Sequence, residues 1–118
     1  MATWKYDEGH SLTAPAAVDL TDKLNYFAIM DSNGNFNVNT VNGGPVFGSI
    51  YEVAKLGEPV TVQFGVIVKV RTGAAIVIGS QVQSDGNGKA ITKAAGERVG
   101  FALGNAVAAD QFIPVLIA

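Results

Sequence analysis

The chain of 118 residues is long enough for one domain with a buried core and leaves little room for a second. It has no cysteine, which excludes disulfides and thiolate metal sites. Its net charge is −2, and only 15% of its residues are charged, against about a quarter in typical soluble domains. This shortage of charge suggests that partners cover part of the surface.

The distribution of charge and hydropathy excludes several classes of protein. The eight Lys and Arg residues are scattered and form no basic stripe, which argues against nucleic-acid binding. No apolar run reaches the roughly 18 residues that cross a bilayer, so we expect no membrane partner. Residues 1–10 lack the basic and apolar segments of a signal peptide, so we expect synthesis in a cytoplasm.

Residues 1–22 show neither a helical nor a strand period, and we predict that they form an irregular N-terminal arm. Pro15 interrupts the small-residue stretch "SLTAPAAVDL". Trp4 and Tyr6 are aromatic anchors that either dock on a neighbouring molecule or fold back on the body. We predict that residues 23–118 form the domain that follows this arm.

Short apolar runs separated by turn residues begin at Lys23. "LNYFAIM" and "FNVNTV" flank "DSNGN", whose Asn33 and Gly34 favour a tight hairpin. "VFGSIYEVA" is the next predicted strand. "VTVQFGVIVKVR" then places apolar residues at alternate positions, as in a strand. Gly65 lies in the middle of that run and predicts a bend, so that one run could contribute to two sides of a barrel or sandwich.

The last third of the chain continues this pattern. A strand around Ser80 to Gln83 and the turn "SDGNGK" predict a second hairpin. A further strand has a bulky face (Val99, Phe101, Leu103) and a smooth one (Gly100, Ala102, Gly104) that another backbone could approach closely. Residues 111–118 are the last predicted strand, in which Pro114 suits an edge or bulge position. The predicted fold is all-β, a small compact barrel or sandwich with an irregular N-terminal arm.

Residues that could carry catalysis are scarce. His10 is the sole histidine, and the chain has no nucleophile elbow, Walker sequence or dinucleotide fingerprint. Asp7 and Glu8 are the only adjacent carboxylates, and neighbours in an extended arm point to opposite sides. We therefore predict that the protein is not an enzyme and has no cofactor and no small-molecule substrate.

The turn "DSNGN" has a weak similarity to the start of a calcium loop. Phe36 and Asn42 stand where that loop requires glycine and glutamate, so turn chemistry is the better explanation. The same explanation applies to "SDGNG", and we predict no metal site. Tyr26 and Tyr51 lie inside predicted strands, where we expect them to cap the ends of the core.

Three segments resemble a known family in their order and spacing: "VTVQFGVIVKV", "AAIVIGSQVQSDGNGKAI" and "RVGFALGNAVAADQFIPVLI". They look like the small capsid decoration or cement proteins of tailed bacteriophages, and "SLTAPAAV" resembles the family's opening. Residues 23–50 depart from the shorter family pattern and have no assigned role. The resemblance implies a compact β fold, often trimeric, that lies on the outside of the mature capsid, bridges capsomers and reinforces them without catalysis.

The resemblance also suggests contact residues and a location. We expect the arm to contact the major capsid protein or a neighbouring subunit through Trp4, Lys5, Tyr6, Asp7, Glu8 and His10. We expect a homotrimer that associates through Gly100, Ala102 and Gly104, located on the virion exterior after synthesis in the host cytoplasm. The alternatives are a tail or baseplate β module, and a carbohydrate-binding module that uses Trp4 and Tyr51.

Overall fold

A computed structural model describes residues 10–118, and the described chain consists of ten strands joined by turns and loops, with no helix. Two five-stranded antiparallel sheets have the orders β1-β5-β4-β2-β3 and β6-β10-β9-β7-β8. The strands are β1 (Ser11–Pro15), β2 (Phe27–Met30), β3 (Phe36–Val38), β4 (Gly48–Glu52), β5 (Pro59–Gln63), β6 (Ile67–Arg71), β7 (Gln81–Ser84), β8 (Ala90–Thr92), β9 (Gly100–Ala102) and β10 (Phe112–Ile117). The all-β prediction is confirmed, and of its two alternatives the sandwich is the one observed.

The two sheets are built by an internal repeat. Adding five to each strand number of the first sheet gives the strand order of the second. The loops correspond as well. The backbone N–H of Leu20 donates to the carbonyl of Ala54, and in the second half of the chain the N–H of Ile76 donates to the carbonyl of Ala106 in the same way. In the first half of the chain, backbone contacts also join Ala16 with Phe36 and Asn25 with Ile50. The equivalent contacts in the second half join Thr72 with Ala90 and Gly79 with Ala102. Residues 11–63 and 67–117 are therefore two copies of one five-stranded unit.

The predicted bend at Gly65 is where the two units join. Gly65 has a φ of +128°, a backbone conformation that residues with a Cβ rarely adopt. β5 on one side belongs to the first sheet, and β6 on the other belongs to the second. The single alternating run seen in the sequence therefore supplies both sheets, as predicted. Phe64 and Val66, next to the bend, are exposed although they continue the apolar alternation.

Both predicted hairpins are present and are built alike. In the first, one carboxylate oxygen of Asp31 accepts the backbone N–H groups of Asn33 and Asn35. In the second, Asp85 does the same for the residues two and four positions later. A carboxylate that accepts two backbone N–H groups fixes the turn without help from the rest of the fold.

The core consists of two apolar clusters, one for each unit, joined by Phe27. The first contains Leu20, Phe36, Ile50 and residues of β5, and the second contains residues of β6, β7, β9 and β10. Phe27 lies on β2 of the first sheet, yet it packs in the second cluster and is fully buried. Its backbone N–H also donates to the carbonyl of Gly88. The two units therefore share core residues and form one body.

The described part of the predicted arm is not irregular. Ser11–Pro15 pairs with β5 along its whole length, and Ala16 and Leu20 are buried in the first cluster. The pattern was missed because β1 buries neither face: its residues are exposed or half-buried, so its apolar residues do not alternate. Backbone hydrogen bonds hold it in place. The division of the chain at residue 22 stays a prediction.

The last two strands differ from expectation in one respect. β10 pairs with β6 on one side and with β9 on the other, so it is an interior strand and the predicted edge position is wrong. Pro114 is tolerated because it lies just beyond the last residue pair of the β9–β10 ladder, which is Val115 with Ala102. There the carbonyl of Pro114 accepts the N–H of Leu103, and the proline has no N–H to return.

Candidate functional site

The arm residues predicted to bind a partner lie mostly beyond the described part of the chain. Trp4, Lys5, Tyr6, Asp7 and Glu8 belong to residues 1–9, outside the described residues. Their role stays a prediction.

His10 is the first described residue and lies in the first unit's junction with the second. Its carbonyl accepts the backbone N–H of Phe64, and its ring stacks on the Phe64 ring with centroids 6.1 Å apart. His10 therefore lies beside Phe64, at the junction between the two sheets.

A row of aromatic rings runs inward from that point. The Phe64 ring meets the Phe47 ring edge-on at 5.8 Å, and Phe47 meets the fully buried Phe36 at 5.3 Å. Edge-on pairs at these distances are favourable beyond the area they bury. Phe47 and Phe64 are 40% and 37% exposed, and they line a cavity of about 160 Å³ together with Arg98 and Ile117. The row therefore presents apolar rings to solvent on a support anchored in the core.

The residues predicted to mediate self-association pack inside a single chain. Gly100 and Ala102 are buried in β9, and a Cβ at Gly100 would overlap the carbonyl oxygen of Leu116 on β10. Gly104 is half-buried beside Pro114. The smooth face is therefore needed for the close approach of β9 and β10 within the chain. A role in contacts between chains stays a prediction.

The two most exposed large apolar residues among those described, Val107 and Val77, lie on two loops of the second unit that the sequence did not single out. Ile76 and Ala106 form a buried bridge between these loops, and the side chains of Val77, Ile78 and Val107 are 68%, 54% and 83% exposed. The side chain of Asn105 accepts the backbone N–H of Ile78 and holds the loops together. Tyr51 is also half exposed and does not cap the core, whereas Tyr26 is buried as expected.

A cluster of cations surrounds two aromatic rings where the two units meet. The Tyr26 ring has the charged ends of Lys23, Arg71 and Lys89 within 5.1 to 5.7 Å of its centroid. Arg71 also lies 5.5 Å from the ring of Phe112. Lys69 lies 5.5 Å from the same ring. We call Lys23, Tyr26, Lys69, Arg71, Lys89 and Phe112 the basic patch. The patch could not be recognised from the sequence, because its cations are up to 66 residues apart in the chain.

Asp110 joins two cations of the basic patch. One of its carboxylate oxygens lies 2.8 Å from Lys89 Nζ and 3.1 Å from Arg71 Nε. These hydrogen bonds, first from Lys89 and then from Arg71, lower the pKa of Asp110 below its ordinary value of 3.8. The hydrogen bond to Asp110 raises the pKa of Lys89. Both groups are therefore charged near neutral pH.

Within residues 10–118 no three potential metal-ligating side chains come together. The carboxylates of Asp31 and Asp85 each accept backbone N–H groups of their own turn, which agrees with the turn interpretation of both loops. The same range contains no helix that could span a membrane.

Comparison with known proteins decides the family. The family model described as phage cement protein matches residues 28–117. The chain belongs to this family. The resemblance drawn from the sequence motifs is therefore confirmed, and it includes part of residues 23–50, which had seemed to depart from the pattern. As a phage cement protein the chain is a structural, capsid-associated component of the virion, and its family is not a family of enzymes.

A solved structure has the same fold. The N-terminal base of the head fiber gp8.5 of bacteriophage phi29 superimposes with a TM-score of 0.73 over 92% of each chain, at 15% sequence identity. At that identity the likeness concerns the fold alone. No curated protein matches this cement protein in sequence.

Proposed function

We propose that this cement protein binds the outer surface of the mature capsid and stabilises the contacts between capsomers. The observation that carries the proposal is the match to the phage cement family over residues 28–117. Its partner is the major capsid protein, and it reaches the virion exterior after synthesis in the host cytoplasm.

The described body suits such a role. Two sheets with a shared core form a body 40 × 33 × 21 Å across, and its exposed apolar side chains lie on turns and strand ends that the sheets hold in place. A rigid body presents these side chains with little loss of entropy on binding. Many copies on one particle make weak single contacts add to a stable coat.

The arm is the proposed attachment segment. Residues 1–9 are followed directly by His10, which stacks on the exposed ring of Phe64, and Trp4 and Tyr6 can bury large apolar areas against a neighbour. We propose that they contact the major capsid protein or an adjacent copy. The exposed rings of Phe47 and Phe64 offer the partner a second apolar contact, on the body itself.

We also propose that the protein assembles as a homotrimer. The side chains best placed for contact between chains are the exposed Val77, Ile78 and Val107, since Gly100 and Ala102 are buried. Light scattering of the purified protein should give three times the mass of one chain. Two results together would contradict the trimer. The protein in solution would have the mass of a single chain, and its copies on particles would be isolated from one another.

The test of attachment uses capsids that lack the protein. Purified protein is mixed with mature undecorated capsids and with immature shells, and particles are collected by sedimentation. We expect saturable binding to the mature capsids and a greater force or temperature needed to break them. Absence of binding to mature capsids would refute the proposal.

Deletion of residues 2–9 tests the arm separately. It leaves His10 and β1 intact, so the body should keep its β-rich circular dichroism spectrum and its unfolding midpoint. We expect attachment to weaken by at least tenfold, and the double substitution of Trp4 and Tyr6 by Ala should reproduce most of that loss. Unchanged attachment in both variants would exclude the arm as the anchor.

A further inference from the structure

The basic patch stands out against the charge of the rest of the described surface. Among residues 10–118 its four cations lie near three carboxylates: Asp110, Asp22 at 3.4 Å from Lys23, and Asp19, whose charge also interacts with Lys23. The other charged side chains of residues 10–118 are three cations and five carboxylates. Within residues 10–118 the patch therefore carries more positive than negative charge, and the other charged side chains carry more negative than positive. These other charged residues are Lys55, Lys93, Arg98, Asp31, Glu52, Glu58, Asp85 and Glu97.

The fold holds these cations together. Lys23 and Tyr26 come from the first unit, while Arg71 and Lys89 come from the second. The packing of the two units places the three cations around the Tyr26 ring. The cation–π contacts and the hydrogen bonds to Asp110 hold the charged groups in place. Because their positions are fixed before binding, a negatively charged partner would lose little entropy in ordering them.

An open groove lies beside the patch. It has a volume of about 430 Å³, and Lys23 and Lys89 line it together with Tyr26. The remaining lining mixes apolar side chains with amides and a hydroxyl: Val18, Leu20, Val38, Asn37, Asn87 and Thr40. A groove of this kind fits an extended peptide. The ammonium groups of the groove bind carboxylates of the peptide, the amides of the groove bind the peptide backbone, and the valines contact apolar side chains of the peptide.

The composition of the patch favours a protein over a nucleic acid. Tyr26 is only 8% exposed and its ring is already covered by cations, so it cannot stack a base.

We propose that the basic patch and its groove bind a carboxylate-bearing segment of the major capsid protein. This inference rests on the proposed function, since it names the chemistry of the contact that attaches the protein to the shell. The patch is the electrostatic contact, while the aromatic arm is the apolar one.

The experiment compares two double variants that remove the same amount of charge. Lys23→Gln with Lys69→Gln removes two cations of the patch, and Lys55→Gln with Lys93→Gln removes two cations outside it. Binding to mature undecorated capsids is measured by sedimentation at low and at high salt. We expect the patch variant to bind about tenfold more weakly at low salt, the control to stay within about twofold of the original protein, and added salt to remove the difference.

Two further measurements complete the test. The variant Lys23→Arg with Lys69→Arg keeps the charge and should keep the binding. Circular dichroism and unfolding midpoints should show that all three variants are folded, since Lys69 is exposed and Lys23 is half-exposed.

The outcomes separate the patch from attachment itself. If the original protein does not bind capsids, the proposed function is wrong and the inference falls with it. If it binds and the patch variant binds equally well, only the role of the patch is refuted. Loss of self-association in the patch variant without loss of capsid binding would make the patch an interface between copies and overturn the inference. Competition by a DNA oligonucleotide as effective as that by a glutamate-rich peptide would overturn it as well.

Discussion

Replacement of Gly100 by alanine tests how tightly the second sheet is packed. The added Cβ would overlap the carbonyl oxygen of Leu116 and lie 2.8 Å from that residue's carbonyl carbon and 3.1 Å from the Cα of Ile117. These are backbone atoms of β10, and β6 pairs with β10 on its other side. The strand therefore cannot move away without breaking a second ladder.

The size of the effect follows from this geometry. Relief requires β9 and β10 to separate, which loses at least two ladder hydrogen bonds of about 1 kcal/mol each. Overpacking adds about 1 to 3 kcal/mol. We expect Gly100→Ala to lower the free energy of unfolding by about 3 to 5 kcal/mol, which corresponds to a fall in the unfolding midpoint on the order of 10 °C or more.

The assay is thermal and urea unfolding followed by circular dichroism, at equal protein concentrations. Gly86→Ala is the matched control, since its φ is not positive and its nearest contact would be 3.7 Å away. Gly48→Ala in the first unit should behave like Gly100→Ala, because its Cβ would overlap the carbonyl oxygen of Gln63. If Gly100→Ala unfolds within about 2 °C of the Gly86→Ala control, the proposed close packing of β9 on β10 is wrong.

Three further predictions concern the joined core, the turns and the charge cluster. Phe27→Ala should cost about 3 to 5 kcal/mol and leave a single unfolding transition, because the ring packs in the core of the other unit; two separate transitions would contradict a shared core. Asp85→Ala removes the acceptor of two backbone N–H groups and should cost about 2 kcal/mol in urea unfolding, while an unchanged midpoint would show that the glycines alone fix the turn. Lys89 and Arg71 lower the pKa of Asp110 in the folded state, so its contribution to stability is complete above pH 3.8 and is lost as the pH falls through the folded pKa. Asp110→Asn should therefore weaken the acid dependence of the midpoint between about pH 5 and 2, and an identical dependence in both proteins would contradict this.

The features predicted from the sequence are those that short segments determine. Asn33 with Gly34, and the second turn at Asp85, specify their hairpins through their own backbone, and Gly65 marks the bend between the sheets. The final strand was predicted in place, and its position in the sheet was not. That position depends on which strands lie beside it, and no local pattern encodes this.

The features that were missed depend on distant parts of the chain. β1 has no buried face of its own and is ordered by pairing with β5, nearly fifty residues later. The internal repeat is visible in the strand order and the hydrogen bonds. Few residues are identical in the two units: Asp31, Asn33 and Gly34 match Asp85, Asn87 and Gly88, and Gly48 matches Gly100. The basic patch forms only when the two units pack together.

The fate of the smooth face illustrates the same limit. Glycine and alanine in β9 indicated that some backbone approaches closely, and this is correct. The sequence could not say whether that backbone belongs to the same chain or to another. In the folded chain it is β10, which leaves surface side chains such as those of the exposed loops to make contacts between molecules.

Cryo-electron microscopy of the virions of the phage that encodes this protein is the most direct test of its role. We predict that density fitting the two-sheet body lies on the outer face of the capsid shell, at junctions between capsomers, with the N-terminal side of the body against the shell. Density for the body only at the tail or baseplate, or a shell surface with none, would contradict the account.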